Sequence, residues 1–304
     1  MKPDFICIGA QKAGTTWLYF NLDLQPEFSM PPIKEFHYFD RSENYASMNT
    51  LSETSAFRRL RSAGYFGLAL KRISRSMLRA NFKRALWWAR YSFSDYSDSW
   101  YRSLFELERG LTGDITPAYS ILEEEDVRRM HRTAPNAKII FLIRNPIDRA
   151  WSMYRFMATK SKLDVHTEDL GAFESFANSP GQELRSDYLR TIELYSKYYD
   201  PMDILIGFYD AISEDPEALL GEILKHVGAK GAMVTHGLEK VVHETRSVEI
   251  PPAFKTCLVG KYREEINALA SRFGSYATDW QAALNGEPAK RKTGQDRHPP
   301  AVHP

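Results

Sequence analysis

The chain has 304 residues, 43% of them hydrophobic and 13% aromatic, with a formal net charge of +1. That is enough apolar side chain for one large α/β domain with an insertion, or for two small domains, and it excludes global disorder. The near-neutral balance predicts no general polyanion or nucleic-acid binder. The two cysteines, Cys7 and Cys257, allow neither a zinc-ligand spacing nor a disulfide framework.

The first element is FICIG (5–9), a short apolar run suited to a buried strand. It starts at about Asp4, which leaves no room for a signal peptide, and no run of 18 apolar residues follows. The expectation is a soluble, cytoplasmic protein. After the strand comes GAQKAGTT, which is nearly a phosphate-binding P-loop. Gly9 and Gly14 keep the spacing, but the lysine is Lys12, inside the loop, instead of following the second glycine. A helix starting at Thr15 points its free N–H groups and positive dipole end at whatever the loop holds. Thr15 and Thr16 add hydroxyl donors, and Lys12 adds a full charge. The set suits a phosphate-like anion.

The next distinctive segment runs from Thr54 to Ser94, with ten Arg or Lys and no Asp or Glu. The remainder of the chain is therefore net −9. Read as one helix over 70–90, Arg72, Arg75, Arg79, Lys83 and Arg90 share one face, with Leu70, Ile73, Met77 and Trp88 opposite and Arg84 breaking the pattern. The more ordinary reading is a surface helix with its apolar side on the core and a solvated basic side. The sharper one is a basic wall facing an anionic acceptor or a membrane surface. Either way, residues 45–95 read as a helical insertion.

Further strands are expected at KIIFLIR (138–144) and DILIGFYD (203–210). Helical patterns cover roughly 96–108, 122–133, 146–159, 184–199, 215–227 and 254–273. Strands alternating with helices predict an α/β fold, three-layered and P-loop-like, around a central parallel sheet. One domain over 1–284 is expected, with a polar, proline-containing tail over 285–304 expected to be disordered. A nucleoside triphosphate site needs a carboxylate at a strand end to hold magnesium. KIIFLIR ends instead in Arg144, which suits direct pairing with a second phosphate. Pro146 then starts a helix that carries Arg149 and Ser152, three residues apart.

QKAGTTWLY together with FLIRNPIDRAWSMY resembles the superfamily of sulfotransferases that use 3′-phosphoadenosine 5′-phosphosulfate (PAPS). PPIKEFHYFD (31–40), GDITPAY (113–119) and ILIGFYDAISEDPEALLGEILKHVG (204–228) are similar to further segments of its heparan-sulfate-type and related bacterial members. The resemblance implies metal-independent, in-line sulfonyl transfer from PAPS to a hydroxyl, less readily an amine, of a carbohydrate, glycolipid or small molecule. It implies that Lys12, Ala13, Gly14, Thr15, Thr16 and Trp17 hold the 5′-phosphate, with Lys12 also stabilising the leaving group. Arg144 and Ser152 are implied for the 3′-phosphate. Arg246, in HETRSVEIPP, is a weaker candidate for the same group, beside the plain reading of an exposed loop arginine.

The acceptor hydroxyl must lose its proton as it attacks. In the resembled members the glutamate of the KE pair is the base, which implies Glu35 here. If KEFHYFD is extended, Glu35, His37 and Phe39 point one way and Lys34, Phe36 and Tyr38 the other. His37 is thus the rival base or an orienting group. One departure stands out, since Ile115 occupies the position of the family's lysine in GEKSPxY. Two other function classes remain open. A small-molecule kinase would need Asp210 as its metal carboxylate. A non-catalytic, membrane-peripheral anion binder would not need Glu35. The acceptor and the oligomeric state are not legible.

Overall fold

Four strands form the parallel part of a five-stranded sheet. A computed structural model describes residues 3–47, 51–62, 64–107, 109–161, 169–238, 248–287 and 298–304. The strands are β1 (Phe5–Gly9), β2 (Gly113–Ile115), β3 (Lys138–Ile143), β4 (Ile204–Phe208) and β5 (Ala301–Val302). Their order is β2-β1-β3-β4-β5. β1 to β4 run parallel and β5 is antiparallel to β4. Helices cover both faces of such a sheet, which is why β1 and β4 are buried along their whole length and contain almost no polar residue.

The helices in chain order begin with α1 (Thr15–Asp23), α2 (Ala56–Arg61), α3 (Tyr65–Leu78), α4 (Phe82–Phe93) and α5 (Asp98–Ser103). Next come α6 (Glu124–Thr133), α7 (Pro146–Ser161), α8 (Leu170–Ala177), α9 (Pro180–Ser186) and α10 (Tyr188–Ser196). The last are α11 (Asp210–Glu214), α12 (Pro216–His226), α13 (Pro252–Phe273) and α14 (Ser275–Leu284). The helix expected over 184–199 divides at Asp187. That carboxylate accepts the Arg190 N–H and so caps α10 as a new start. Among the described residues no helix is long and apolar enough to cross a membrane.

The basic segment is a helical hairpin, not the single helix expected over 70–90. Ala80 has φ 52°, a left-handed conformation that ends α3, and the Asn81 side chain accepts the Arg84 N–H to start α4. The turn redistributes the expected stripe. Arg72, Arg75 and Arg79 stay together, but Lys83 bonds Ser29 Oγ at 3.1 Å and Arg90 bonds the Ser103 carbonyl at 2.7 Å. Arg84, which broke the one-helix pattern, joins Arg72, Arg75 and Arg79 along a groove of about 620 Å³. The expected apolar face is also redrawn, since Trp88 is buried while Leu70 and Met77 face solvent.

The tail, expected to be disordered over 285–304, is ordered at its end. Residues 298–304 lie against the sheet, while 288–297 fall outside the described residues. The Phe208 N–H donates to Pro300 O at 3.0 Å, Ser275 Oγ donates to Pro299 O at 2.7 Å, and His303 Nδ1 lies 2.7 Å from Ile204 O. β4 would otherwise present an open edge, and backbone groups there need partners whatever the side chains are. Deleting 298–304 should cost about 2–4 kcal/mol, at roughly 1 kcal/mol per hydrogen bond. An unchanged melting temperature would show that the strap contributes nothing.

Candidate active site

The loop after β1 turns back on itself at Gly14, which has φ 87°. A Cβ there would also lie 2.2 Å from Ile212 Cδ1, so both conformation and space require glycine. The first intrahelical bond of α1 is Leu18 N–H to Gly14 O, at 3.0 Å. The N–H groups of Thr15, Thr16 and Trp17 therefore have no partner within the helix and face the loop. Trp17 contributes only its backbone, because its ring is buried and its Nε1 donates to Leu238 O at 2.9 Å. Ala13 and Thr15 are buried beneath the turn.

Lys12 also sits at positive φ, 68°, with its ammonium 4.6 Å from the centre of the Phe156 ring. Burial lowers its pKa, and the nearby charges of Arg144, Arg155 and Lys34 lower it further. The pKa of Arg155 is lowered likewise, by burial first and then by Arg144, so these cations are held together against their mutual repulsion. Arg144 ends β3 and joins the two motifs directly, as its Nη1 donates to Lys12 O at 3.2 Å. Its guanidinium also stacks 4.2 Å from the Tyr209 ring centre. Ser152 is buried on α7, and Arg155 lies one turn beyond it. Arg149 does not share that side. It is fully buried and bonds Ser186 Oγ at 2.8 Å and Gln182 Oε1 at 3.1 Å. Arg246 lies outside the described residues.

Segment 31–40 is not extended. Glu35 and His37 have φ of 66° and 53°, conformations that cost non-glycine residues energy. The alternation expected from a strand is lost, and Phe36, Tyr38 and Phe39 all enter the core. A buried carboxylate network holds this backbone. Asp114 on β2 accepts from Thr116 Oγ1 at 2.7 Å and from the Tyr101 and Tyr119 hydroxyls at 2.9 Å each. Thr116 Oγ1 in turn accepts the Phe36 N–H and the Tyr119 hydroxyl the Tyr38 N–H. The Glu35 N–H donates to Ile115 O at 3.0 Å. Burial pushes Asp114 up to about 6, although its three hydroxyl donors pull the other way.

Glu35 and His37 nevertheless meet. His37 Nε2 is 3.5 Å from Glu35 Oε2, and His37 Nδ1 is 2.6 Å from Asp40 Oδ2. Asp40 has no solvent exposure, so the imidazole is held from behind by a buried carboxylate. Lys34 Nζ lies 2.6 Å from Glu35 Oε1. For Glu35 burial favours protonation, but His37 and Lys34 prevail and hold it at about 2. For His37 burial opposes charge, but Asp40 and Glu35 prevail and hold it up to about 9. The resting site is an alternating chain of charges, Asp40–His37–Glu35–Lys34, leading toward the loop cations.

This chain gives a pH dependence with a definite sign. The folded pKa of His37 lies above its unfolded value of about 6.5. Its contribution to stability is full below that value and is lost as the pH rises through about 9. The loss is on the order of 3 kcal/mol at most. Melting temperature should therefore fall more steeply over this window in the native chain than in His37→Gln. Parallel curves would exclude the ion pair.

Sequence reading missed Asp40, Arg155 and the Asp114 network. Asp40 follows His37 by three residues in KEFHYFD, and Arg155 follows Ser152 by three on the same helix, so each left a spacing signal. The network left none, because hydroxyls of Tyr101 and Tyr119 are not marked in sequence as carboxylate ligands. Asp210 suits a metal poorly. Its Oδ1 accepts from Trp280 Nε1 at 3.2 Å, and burial pushes it up to about 6.

A mostly parallel α/β sheet thus carries a glycine- and lysine-containing loop before a helix start, a second arginine motif and a paired Glu–His. The sulfotransferase domain family model matches residues 2–273, and the chain belongs to that family. The family is one of sulfotransferases, and it implies PAPS as the donor. It is 23% identical to human bifunctional heparan sulfate N-deacetylase/N-sulfotransferase 3, over 91% of this chain and 31% of that protein. It is 26% identical to carbohydrate sulfotransferase 15 of Rattus norvegicus, over 58% of this chain and 31% of that protein. The chain thus spans well under half the length of these relatives. A sulfotransferase from Alicyclobacillus acidocaldarius has the same fold, with a TM-score of 0.58 at 20% identity, covering 95% of this chain and 97% of that one. The sulfotransferase domain of the Synechococcus PCC 7002 olefin synthase aligns with a TM-score of 0.53 at 17% identity, covering 87% of this chain and 94% of that one.

Proposed function

We propose that this chain transfers the sulfonyl group of PAPS to a hydroxyl of a carbohydrate-type acceptor, with Glu35 as general base. The observation that carries the reading is the direct bond from Arg144 to the Lys12 carbonyl, which makes one cationic site of two distant motifs. The residues present fit the donor. Gly14 keeps the loop open, and the N–H groups of Thr15, Thr16 and Trp17 with the Lys12 ammonium suit a 5′-phosphate. Arg144, Ser152 and Arg155 suit the 3′-phosphate. Bound there, PAPS supplies the sulfonyl group and a phosphate leaving group.

The remaining work falls to the chain. Lys12 faces the charge that develops as the bond to the 5′-phosphate breaks. A carboxylate held at about 2 takes up a proton poorly. Lys34, however, has two competing acceptors, the Glu35 carboxylate and any anion in the loop. Release of Lys34 toward the loop raises the basicity of Glu35, while the Asp40–His37 pair keeps the carboxylate in position. The tail strand completes the edge of β4, so we take residues 298–304 as part of the same unit.

Titration with 3′,5′-ADP, 5′-ADP and ATP, with and without magnesium, tests the reading. Metal-independent, micromolar binding of 3′,5′-ADP, about −8 kcal/mol, is expected. Tighter, magnesium-dependent binding of ATP would replace this reading with a kinase.

A further inference from the structure

The α3–α4 hairpin gathers two properties that elsewhere in the chain stay apart. Fifteen large apolar side chains are exposed among the described residues, and nine of them lie between 54 and 94. The same segment holds ten cations and no acid. Phe66, Leu70 and Met77 are spaced four and seven apart on α3, and Phe82, Leu86 and Phe93 likewise on α4. Each is between 38% and 64% exposed. The Phe66 and Phe93 rings meet edge to face at 6.4 Å, which joins the two stripes into one surface across the hairpin. The other side of α3 carries Lys71, Arg72, Arg75 and Arg79 along the groove, with Arg84 added from α4. An exposed apolar stripe opposed to a basic face is the pattern of an element lying in a membrane interface.

We propose that this hairpin docks the protein on a lipid surface bearing anionic headgroups. A second copy of the chain explains the pattern less well, because a two-fold contact through this surface would set one basic hairpin against another. A soluble anionic ligand would use the groove and leave the apolar stripe in water. A lipid surface accounts for both. Its anionic charge attracts the cations and its acyl boundary takes Phe66, Leu70, Met77, Phe82, Leu86 and Phe93. Pro32 and Ile33 also line the groove, so the basic face borders the Glu35 segment. The inference does not rest on the identity of the donor.

Flotation of the full chain with vesicles tests it. Vesicles of phosphatidylcholine with phosphatidylglycerol should carry the protein, and phosphatidylcholine alone should not. The Arg75→Gln/Arg79→Gln/Arg84→Gln variant should partition more weakly by about 100-fold. The Leu70→Ser/Met77→Ser/Leu86→Ser variant has the same net charge and should lose flotation, with its circular dichroism spectrum retained. Native chain that stays with the buffer, or a serine variant that floats like the native chain, would overturn the proposal. So would a dimer in sedimentation velocity that the serine variant abolishes while vesicles bind neither protein.

Discussion

Replacing Glu35 by glutamine should lower turnover by about 10²–10⁴-fold while leaving the affinity for 3′,5′-ADP unchanged. Glutamine keeps the size and one acceptor oxygen of the side chain but takes up no proton. The expected split follows from position. Glu35 stands between His37 and Lys34 in the charge chain, and Lys34 links it to the loop cations. His37→Gln separates the two candidates for the base. His37 has one nitrogen fixed on Asp40, and its raised pKa keeps it protonated at neutral pH, so it is a donor in the resting state. It should act as a positioning residue, and its loss should slow turnover less than the loss of Glu35. The reverse order would move the base to His37.

Arg144→Ala should weaken 3′,5′-ADP by about 10- to 100-fold, the value of one or two charge-assisted hydrogen bonds, and should narrow the preference over 5′-ADP. The ratio is the informative quantity. Arg144 also supports the loop through Lys12 O and packs on Tyr209, so its removal disturbs both nucleotides through the loop. Only contact with the 3′-phosphate discriminates between them. Arg155→Ala should narrow the same ratio, since Arg155 lies close enough to add to the field at Lys12. An unchanged ratio in both variants would place the 3′-phosphate elsewhere, and the segment containing Arg246 would be the next to test.

The parts legible in the sequence are those whose chemistry is local. FICIG, KIIFLI and ILIGF are apolar because a parallel strand is covered on both faces, and they became β1, β3 and β4. The glycine-lysine-threonine loop carries its purpose in its own residues, because the free N–H groups of a helix start are a property of the backbone. Glu35 and His37 stand out through the resemblance of PPIKEFHYFD to the sulfotransferase motif, and Arg144 as the cation that ends an apolar run.

Tertiary structure decided everything that depends on chain segments meeting from far apart. Asp114 fixes the strained backbone of Glu35 and His37 through hydroxyls of Tyr101, Thr116 and Tyr119, and no spacing within 31–40 announces that support. The break at Ala80 overrode a continuous helical period, because one left-handed residue and the Asn81 cap outweigh a pattern of side chains. That break decided which arginines share a groove. The end of the tail has the polar, proline-containing composition of a disordered segment, yet the open edge of β4 recruits its backbone, and backbone hydrogen bonding is blind to composition. Periodicity and composition report on faces and caps within one element. Which elements face one another is set by burial and by the satisfaction of polar groups over the whole molecule, and that is where this site acquires its geometry.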